Sequence, residues 1–254
     1  VFKYLRLIIA GAERLRPELQ QAFRVKFGKE IFEGYGCTET APVASVNTEN
    51  VLLSDFLTMQ VNTKSGTVGM ALPGTQFLIV DPETNEELPV GEAGRILIGG
   101  CQVMEGYLKD PERTKNAFVM VDGNKFYRTG DKGYIDSDGF LTIVDRYSRF
   151  AKLGGEMVSL GAVEKFIQDL EILDGFDYSV TTVADEAKGE RIVLLYQNMD
   201  KTPADLLSEL RASGMPPLMI PSFAFQVENM PKLGTGKTDY MAAKKMAAEL
   251  VAAR

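Results

Sequence analysis

The sequence predicts an α/β fold that passes into an all-β module and ends in an α+β domain. The first 65 residues show a strand–helix–strand pattern, and residues 66–145 contain short apolar runs separated by turn residues. Residues 146–254 mix helices with longer strands. We therefore expect the end of an α/β domain with a small β-barrel-like module over residues 1–145, followed by a compact α+β domain over 146–254.

The α/β pattern lies at the start of the chain. Residues 4–10 predict a buried strand, residues 14–27 an amphipathic helix that stops at Gly28, and residues 30–32 a second strand. The apolar face of this helix is expected to consist of Leu15, Leu19, Ala22, Phe23 and Phe27. A loop after the second strand would lie at the carboxyl end of the sheet, where α/β proteins bind ligands.

The β module is predicted from short apolar runs punctuated by Pro-Gly, Asp-Gly and Glu-Gly pairs. Its clearest runs are Gln76–Val80, Arg95–Ile98 and Phe140–Val144. Such a pattern is typical of consecutive hairpins.

The last third of the chain predicts a separate domain. Ser159 is placed to cap a helix, strands follow near 176–184 and 190–197, and Thr202 precedes a proline at the first turn of another helix. A final strand leads to a loop and an alanine-rich helix over 240–253. The polar segment that opens this region, near residue 146, could act as a hinge.

Composition excludes several classes of protein. The 254 residues are 45% hydrophobic and 25% charged, with a net charge of −7, which argues against electrostatic binding of nucleic acid. Cys37 and Cys101 are far apart, so a zinc site or disulfide framework is not expected. The chain begins at Val1 and enters a short apolar run without a signal-peptide pattern, which we interpret as a start within a larger protein.

The stretch FEGYGCTETAP, residues 32–42, offers several groups that suit a ligand. Its glycines allow close approach of the backbone, Tyr35 offers a stacking face, Thr38 a hydroxyl and Glu39 an oxygen ligand for magnesium. An ordinary turn with a packed tyrosine is the alternative.

Two other stretches carry possible binding groups. YRTGD, residues 127–131, is expected to lie between two strands and ends in Asp131, whose carboxylate could accept both hydroxyls of a ribose; a simple hairpin turn is the alternative. Residues 145–164 combine Arg149 and other basic side chains with two glycines and a capped helix, and they could equally form a solvated basic loop.

The terminal stretch MPKLGTGKTDY, residues 230–240, superficially resembles a phosphate-binding P-loop. A P-loop requires glycine where Pro231 stands, and proline has a fixed φ and no N–H to donate. We therefore interpret Lys237 as a lysine on a glycine-flanked loop with another task.

Taken together, the four stretches resemble the adenylate-forming superfamily, and the resemblance covers the whole chain as the later half of such an enzyme. The matching motifs are Tyr35–Glu39, Tyr127–Asp131, Arg146–Gly155 and Pro231–Lys237. Within the superfamily, the run Gly-Glu-Met-Val-Ser-Leu is most similar to the acyl-[acyl-carrier-protein] synthetase part of the bifunctional acyltransferases of bacterial phospholipid repair. Most relatives carry Arg and Glu where Met157 and Ser159 stand.

The resemblance implies ATP and Mg²⁺ as cofactors and assigns roles in the first domain. Thr38 is expected to hold the α-phosphate and Glu39 the magnesium, while Asp131 binds the ribose. The residues expected to line the adenine and nucleoside are Gly11, Ala12, Glu13, Gly34, Tyr35 and Ile143.

In the second domain, the resemblance implies mobility between two half-reactions. Lys237 is expected to bridge the carboxylate and the α-phosphate during adenylation, and Arg146 to reach the ribose or phosphate. Gly154 and Gly155 would let a pantetheine arm pass, with Lys152 as a weaker catalytic candidate. Ser148 is expected to be the pivot; most relatives have Asp or Lys at this position, so its charge interactions are open.

The resemblance also implies partners and a location. These are a fatty acid, holo acyl carrier protein or CoA, and a lysophospholipid reached only through an upstream acyltransferase domain. The full-length protein would act at the cytoplasmic face of the bacterial inner membrane, and the fragment itself would be soluble. Residues 1–30 contain no loop that could grip the β- and γ-phosphates, so the chain alone is expected to be inactive. The alternatives are a fatty acyl-CoA synthetase and a non-catalytic carrier-binding module.

Overall fold

The chain folds into two compact units, Val1–Val144 and Asp145–Arg254. The computed structural model describes residues 2–13, 15–54, 57–185, 189–197 and 200–253. Both units combine sheets with short helices, which confirms the predicted mixed α/β and α+β fold class. Within the described part of the chain, no helix has the length and apolarity needed to cross a membrane.

Unit 1 begins with a small mixed sheet. Its elements are β1 (Ile9–Ala10), α1 (Pro17–Phe27), β2 (Phe32–Gly36), β3 (Val43–Val46), β4 (Val51–Leu52), β5 (Met59–Gln60) and β6 (Met70–Ala71). The sheet order is β1-β2-β3-β6, while β4 and β5 form a separate hairpin. Strands β1 and β2 are parallel with α1 between them, as the strand–helix–strand pattern predicts.

Three boundaries in this region differ from the prediction. The strand predicted over 4–10 is limited to Ile9–Ala10, because only these two residues pair with β2. The helix begins at Pro17 rather than residue 14, since proline suits the first helical turn; residue 14 itself lies outside the described residues. The second strand covers Phe32–Gly36 rather than 30–32, so its glycines lie in the strand and not in a loop after it.

The larger sheet of unit 1 is antiparallel, as expected for the β module. It contains β7 (Thr75–Val80), β8 (Gly94–Gly100), β9 (Phe118–Val121), β10 (Asn124–Ile135) and β11 (Leu141–Arg146), with helix α2 (Pro111–Ala117) before β9. The order is β11-β10-β8-β7, and β9 pairs with β10. The stretch 127–131, predicted to lie between two strands, is instead part of β10, because a register shift between Arg128 and Lys132 lets the strand continue.

Unit 2 is a five-stranded sheet with helices on it. Its elements are β12 (Phe150–Leu153), β13 (Glu156–Ser159), α3 (Leu160–Asp169), β14 (Tyr178–Asp185), β15 (Gly189–Gln197), α4 (Pro203–Ala212), β16 (Phe223–Val227) and α5 (Tyr240–Ala252). Two buried apolar clusters form its core, one containing residues of α3 and α4 and the other residues of α5. The predicted caps are confirmed, since Ser159 accepts a hydrogen bond from the N–H of Ala162 and Thr202 from that of Asp205.

Candidate functional site

A short hydrogen bond joins two candidate residues that are 96 positions apart in the sequence. The Tyr35 hydroxyl, on β2, donates to Oδ2 of Asp131, on β10, at 2.6 Å. Burial first, and then the charge of Asp131, raises the pKa of Tyr35 far above its ordinary value. Tyr35 therefore stays protonated and acts as a permanent donor to this carboxylate.

The backbone around Asp131 is fixed by the irregularity in β10. The Thr129 hydroxyl donates to the carbonyl of Ile96 at 2.7 Å and accepts from the N–H of Asp131 at 3.2 Å. Asp131 is buried, with 8% of its surface exposed. Its carboxylate is thus held in one place by its own strand and by Tyr35.

The turn after β2 places Glu39. Residues Thr38–Thr40 form a short 3₁₀ helix, in which the buried Thr40 hydroxyl accepts from the N–H of Cys37 at 3.1 Å. The chain enters this turn through Gly36, where a Cβ would lie only 1.8 Å from the carbonyl oxygen of Pro42. Glycine is therefore required here by close backbone packing.

Glu39 has a partner that the sequence did not reveal. The Tyr107 hydroxyl donates to Oε1 of Glu39 at 2.6 Å, and the Arg113 guanidinium lies 3.8 Å from the centre of the Tyr107 ring. Partial burial pushes the pKa of Glu39 upward, but the hydrogen bond from Tyr107 and others outweigh it and lower the pKa. Glu39 is consequently an ionised carboxylate in a fixed orientation at neutral pH.

The two carboxylates belong to one neighbourhood in unit 1. Tyr127 is on β10, the same strand as Asp131, and burial is the first cause that raises its pKa. Tyr127 also lies close to Glu39 and Tyr107. Beside them is an open cavity of about 190 Å³, lined by Tyr107, Arg113, Asn116, Ala117, Tyr127 and Arg128.

Several predicted lining residues lie near Tyr35. A Cβ on Gly11 would be 3.1 Å from the carbonyl oxygen of Gly34, so these two backbones are in close contact. Ile143 belongs to the same apolar cluster as Tyr35. Ala12 adopts a left-handed backbone with φ of 74°, and Glu13 and Thr38 are exposed. The structure therefore brings Gly11, Gly34, Tyr35, Asp131 and Ile143 together.

Magnesium is the metal that the candidate residues suggest. Among the described residues, no group of three or more His, Cys, Asp or Glu side chains could hold a metal ion. Glu39 offers one ionised carboxylate, and Mg²⁺ in nucleotide enzymes is commonly held by one or two carboxylates together with substrate phosphates and water. A single carboxylate therefore fits magnesium that arrives with a nucleotide.

In unit 2, Lys237 lies on a tight hairpin turn. The N–H of Leu233 donates to the carbonyl of Lys237 at 2.8 Å, and that of Gly236 donates back to Leu233 at 2.8 Å. Gly236 has a φ of 87°, which favours glycine. These two backbone donors are used inside the turn, whereas a P-loop leaves its amides free to bind phosphate.

The other candidates of unit 2 surround a second tight turn. Gly154 and Gly155 have φ of 59° and 100° and connect β12 to β13 as a two-residue hairpin, a turn that favours glycine at both positions. The side chains of Arg146, Ser148 and Lys152 are exposed. Residues 145–164 thus form ordered structure rather than a solvated basic loop.

Comparison with known proteins places this site in a family. The family described as AMP-binding enzyme matches residues 1–108. Two plant proteins named 4-coumarate–CoA ligase 1 are similar: that of Petroselinum crispum is 36% identical over 187 residues, 73% of this chain and 32% of that protein. That of Glycine max is 30% identical over 237 residues, 92% of this chain and 77% of that sequence.

A solved structure agrees with these relatives. The crystal structure of ATP-bound MatB from Rhodopseudomonas palustris matches with a TM-score of 0.78 and 27% identity, covering 96% of this chain and 46% of that one. The chain belongs to the AMP-binding enzyme family of ATP-dependent, acyl-adenylate-forming ligases, which confirms the superfamily predicted from its motifs. It spans about a third of the Petroselinum ligase and less than half of MatB.

Proposed function

We propose that the chain is the part of an acyl-activating ligase that binds the nucleoside, supplies the adenylation lysine and accepts the thiol. The observation that carries this proposal is the pair of fixed carboxylates in unit 1: Asp131 accepts a hydrogen bond from Tyr35, and Glu39 accepts one from Tyr107. A ribose needs a fixed acceptor for its hydroxyls, and a magnesium-bound phosphate needs an ionised oxygen ligand.

In this proposal unit 1 holds the nucleotide. Asp131 accepts hydrogen bonds from the ribose hydroxyls, and the backbone of Gly11 and Gly34, next to Tyr35, is assigned to the adenine side. Magnesium, when bound with ATP, neutralises phosphate charge, and Glu39 is the residue that would hold it. The exposed hydroxyl of Thr38 is assigned to the α-phosphate.

Unit 2 supplies the reacting cation. Attack of a carboxylate on a phosphate brings like charges together, and the ammonium of Lys237 offsets that repulsion in the transition state. We assign the units Val1–Val144 and Asp145–Arg254 to the two domains of the ligase, with Ser148 as the pivot and Arg146 as a contact to the nucleotide. The exposed hairpin at Gly154 and Gly155 is assigned to the second half-reaction, with Lys152 beside it.

The acyl acceptor separates two versions of the proposal. The run Gly155–Leu160 favours acyl carrier protein and a role in phospholipid repair, with a fatty acid as substrate and an upstream acyltransferase that handles the lysophospholipid at the membrane. The names of the plant relatives favour CoA instead. Rates measured with holo acyl carrier protein and with CoA, at equal concentration and with the same fatty acid, decide between them.

The nucleotide assignment is tested by Asp131→Ala in the intact protein, with Asp138→Ala as the matched control. Asp138 is an exposed aspartate that pairs with Lys64 in the same unit. We expect Asp131→Ala to weaken ATP binding at least about tenfold, since it removes charge-assisted hydrogen bonds worth about 1.5–3 kcal/mol, and Asp138→Ala to leave it unchanged. Equal ATP affinity in the two variants would contradict the assignment.

A further inference from the structure

Arg149 is a largely buried arginine that the proposed chemistry does not use. It ends the 3₁₀ helix Tyr147–Arg149 at the start of unit 2, and only 12% of its side chain is exposed. Its Nη2 lies 2.7 Å from Oε2 of Glu164. Its guanidinium lies 4.0 Å from the centre of the Tyr240 ring, and its Nη1 donates to the Tyr240 hydroxyl at 3.2 Å.

Glu164 forms an ion pair with this guanidinium. The Glu164 side chain is 20% exposed, and its second carboxylate oxygen accepts from the N–H of Val180 at 2.9 Å. The carboxylate is therefore tied to helix α3 and strand β14 as well as to Arg149. Arginine suits this position better than lysine, because its planar group can pair with a carboxylate and stack on an aromatic ring together.

Tyr240 connects this cluster to the loop that carries Lys237. Tyr240 is the first residue of α5, and the preceding residue, Asp239, caps that helix and donates its N–H to the carbonyl of Pro231 at 2.9 Å. The hydrogen bond between Asp239 and Pro231 closes the turn, and Asp239 is directly followed by Tyr240, whose ring contacts Arg149. Arg149 is at the same time one residue after Ser148, the proposed pivot.

We infer that Arg149 is a positioning residue for Lys237: by holding Tyr240 it fixes the end of the lysine loop relative to the segment where unit 2 begins. The consequence for the reaction rests on the proposed function, whereas the consequence for the loop does not. A reacting group displaced by about 1 Å can lose about a hundredfold in rate, so an anchor at the base of the loop has a measurable effect.

The first test concerns the loop alone and needs no substrate. Amide hydrogen exchange is measured in the chain at Leu233 and Gly236, whose N–H groups close the turn. We expect Arg149→Lys and Tyr240→Leu to speed exchange at these amides about tenfold, because an unanchored turn opens more often. Unchanged exchange in both variants would overturn the inference.

A matched control exists in the same unit. Arg191 pairs with Asp185 at 2.5 Å and lies 5.7 Å from the ring of Phe223, so it also has a carboxylate and an aromatic partner. Arg191→Lys should leave exchange at Leu233 and Gly236 unchanged. If it speeds exchange as much as Arg149→Lys does, the effect reflects general loosening of unit 2 and the inference fails.

The second test separates positioning from structural support in the intact protein. Arg149→Lys and Tyr240→Leu should lower kcat of acyl-adenylate formation about tenfold to a hundredfold, with KM for ATP unchanged. Thioester formation from supplied acyl-adenylate should keep its rate in both. Tyr240→Phe keeps the aromatic ring against the guanidinium, so this variant should keep most of the wild-type rate of acyl-adenylate formation.

The outcomes distinguish this inference from the proposed function. An equal fall of both half-reactions would indicate a purely structural role for Arg149 and would overturn the inference. If the wild-type protein forms no acyl-adenylate, the proposed function fails, and hydrogen exchange still decides whether Arg149 anchors the loop.

Discussion

The candidate residues of unit 1 and those of unit 2 are held in opposite ways. In unit 1, Asp131 and Glu39 each accept a 2.6 Å hydrogen bond from a tyrosine on another segment of the sequence. In unit 2, Lys237 and the glycines 154 and 155 lie on tight turns that are closed by local backbone hydrogen bonds. The difference suggests a preformed binding site in one unit and a reacting group presented by a short loop in the other.

The strongest test of this contrast changes the space around a glycine. In Gly36→Ala the new Cβ would meet the Pro42 carbonyl at 1.8 Å, whereas a Cβ on Gly234, in the lysine loop, meets nothing within 4 Å. We expect Gly36→Ala to lower the free energy of unfolding by about 3 kcal/mol, and Gly234→Ala to change it by less than about 0.5 kcal/mol. Chemical denaturation measures both, and equal losses would remove the contrast.

The next effect concerns the donor to Asp131. Tyr35→Phe removes a hydrogen bond to a buried carboxylate and should cost about 1.5–2 kcal/mol of unfolding free energy. Tyr134→Phe, which removes a hydroxyl from the same strand as Asp131, is the control and should cost less. ATP affinity, measured by calorimetry, should fall in Tyr35→Phe alone. A Tyr35→Phe protein as stable as Tyr134→Phe would show that the bond does not hold the site.

Removal of the Tyr107 hydroxyl should have a smaller effect on stability, about 1 kcal/mol, because Glu39 is only partly buried. We expect this variant to have a larger effect on the affinity for the metal ion. Mn²⁺ binding in the presence of ATP, followed by electron paramagnetic resonance, should weaken several-fold in Tyr107→Phe, while ATP binding without metal stays the same. Unchanged Mn²⁺ affinity would mean that Tyr107 does not position Glu39.

The same variant should alter the dependence of stability on pH. The pKa of Glu39 is lowered in the folded chain, so its ionised form stabilises the fold above the ordinary glutamate pKa of about 4.3 and this contribution is lost as pH falls below it. Tyr107→Phe removes one cause of the lowered pKa. The difference in unfolding free energy between wild type and variant should therefore shrink at acid pH, and a constant difference would contradict the assignment.

The smallest effect is expected at Lys152, whose side chain is exposed on β12. Lys152→Ala should change the free energy of unfolding by less than about 0.5 kcal/mol. If the side chain acts in the second half-reaction, thioester formation slows while adenylation does not. A loss of stability comparable to that of Tyr35→Phe would show that unit 2 holds its candidates as rigidly as unit 1.

Local sequence signals predicted much of this fold. The caps at Ser159 and Thr202, the parallel pair around α1 and the antiparallel module all follow from short-range patterns. The prediction failed where pairing or packing decides. Residues 4–8 are mostly apolar but do not belong to a strand, and residues 127–131 contain turn residues but continue as a strand through an irregularity.

The candidate site was predictable in its motifs but not in its supports. Tyr107 and Glu39 are 68 residues apart, and no spacing in the sequence connects them. Arg149 stands among basic residues that suggest solvent, yet the partners that bury it, Glu164 and Tyr240, come from distant helices. Contacts of this kind are fixed by the tertiary structure, so local sequence patterns do not predict them.

The most direct test of the account compares the two half-reactions in Lys237→Ala, with Lys232→Ala as control. Lys232 lies on the same turn and pairs with Asp177. We predict that Lys237→Ala slows acyl-adenylate formation about a hundredfold to a thousandfold, and that it transfers a supplied acyl-adenylate to the thiol acceptor at the normal rate. Normal acyl-adenylate formation in Lys237→Ala, or an equal loss of rate in both steps, would contradict the proposal that unit 1 binds the nucleotide while Lys237 of unit 2 acts in adenylation alone.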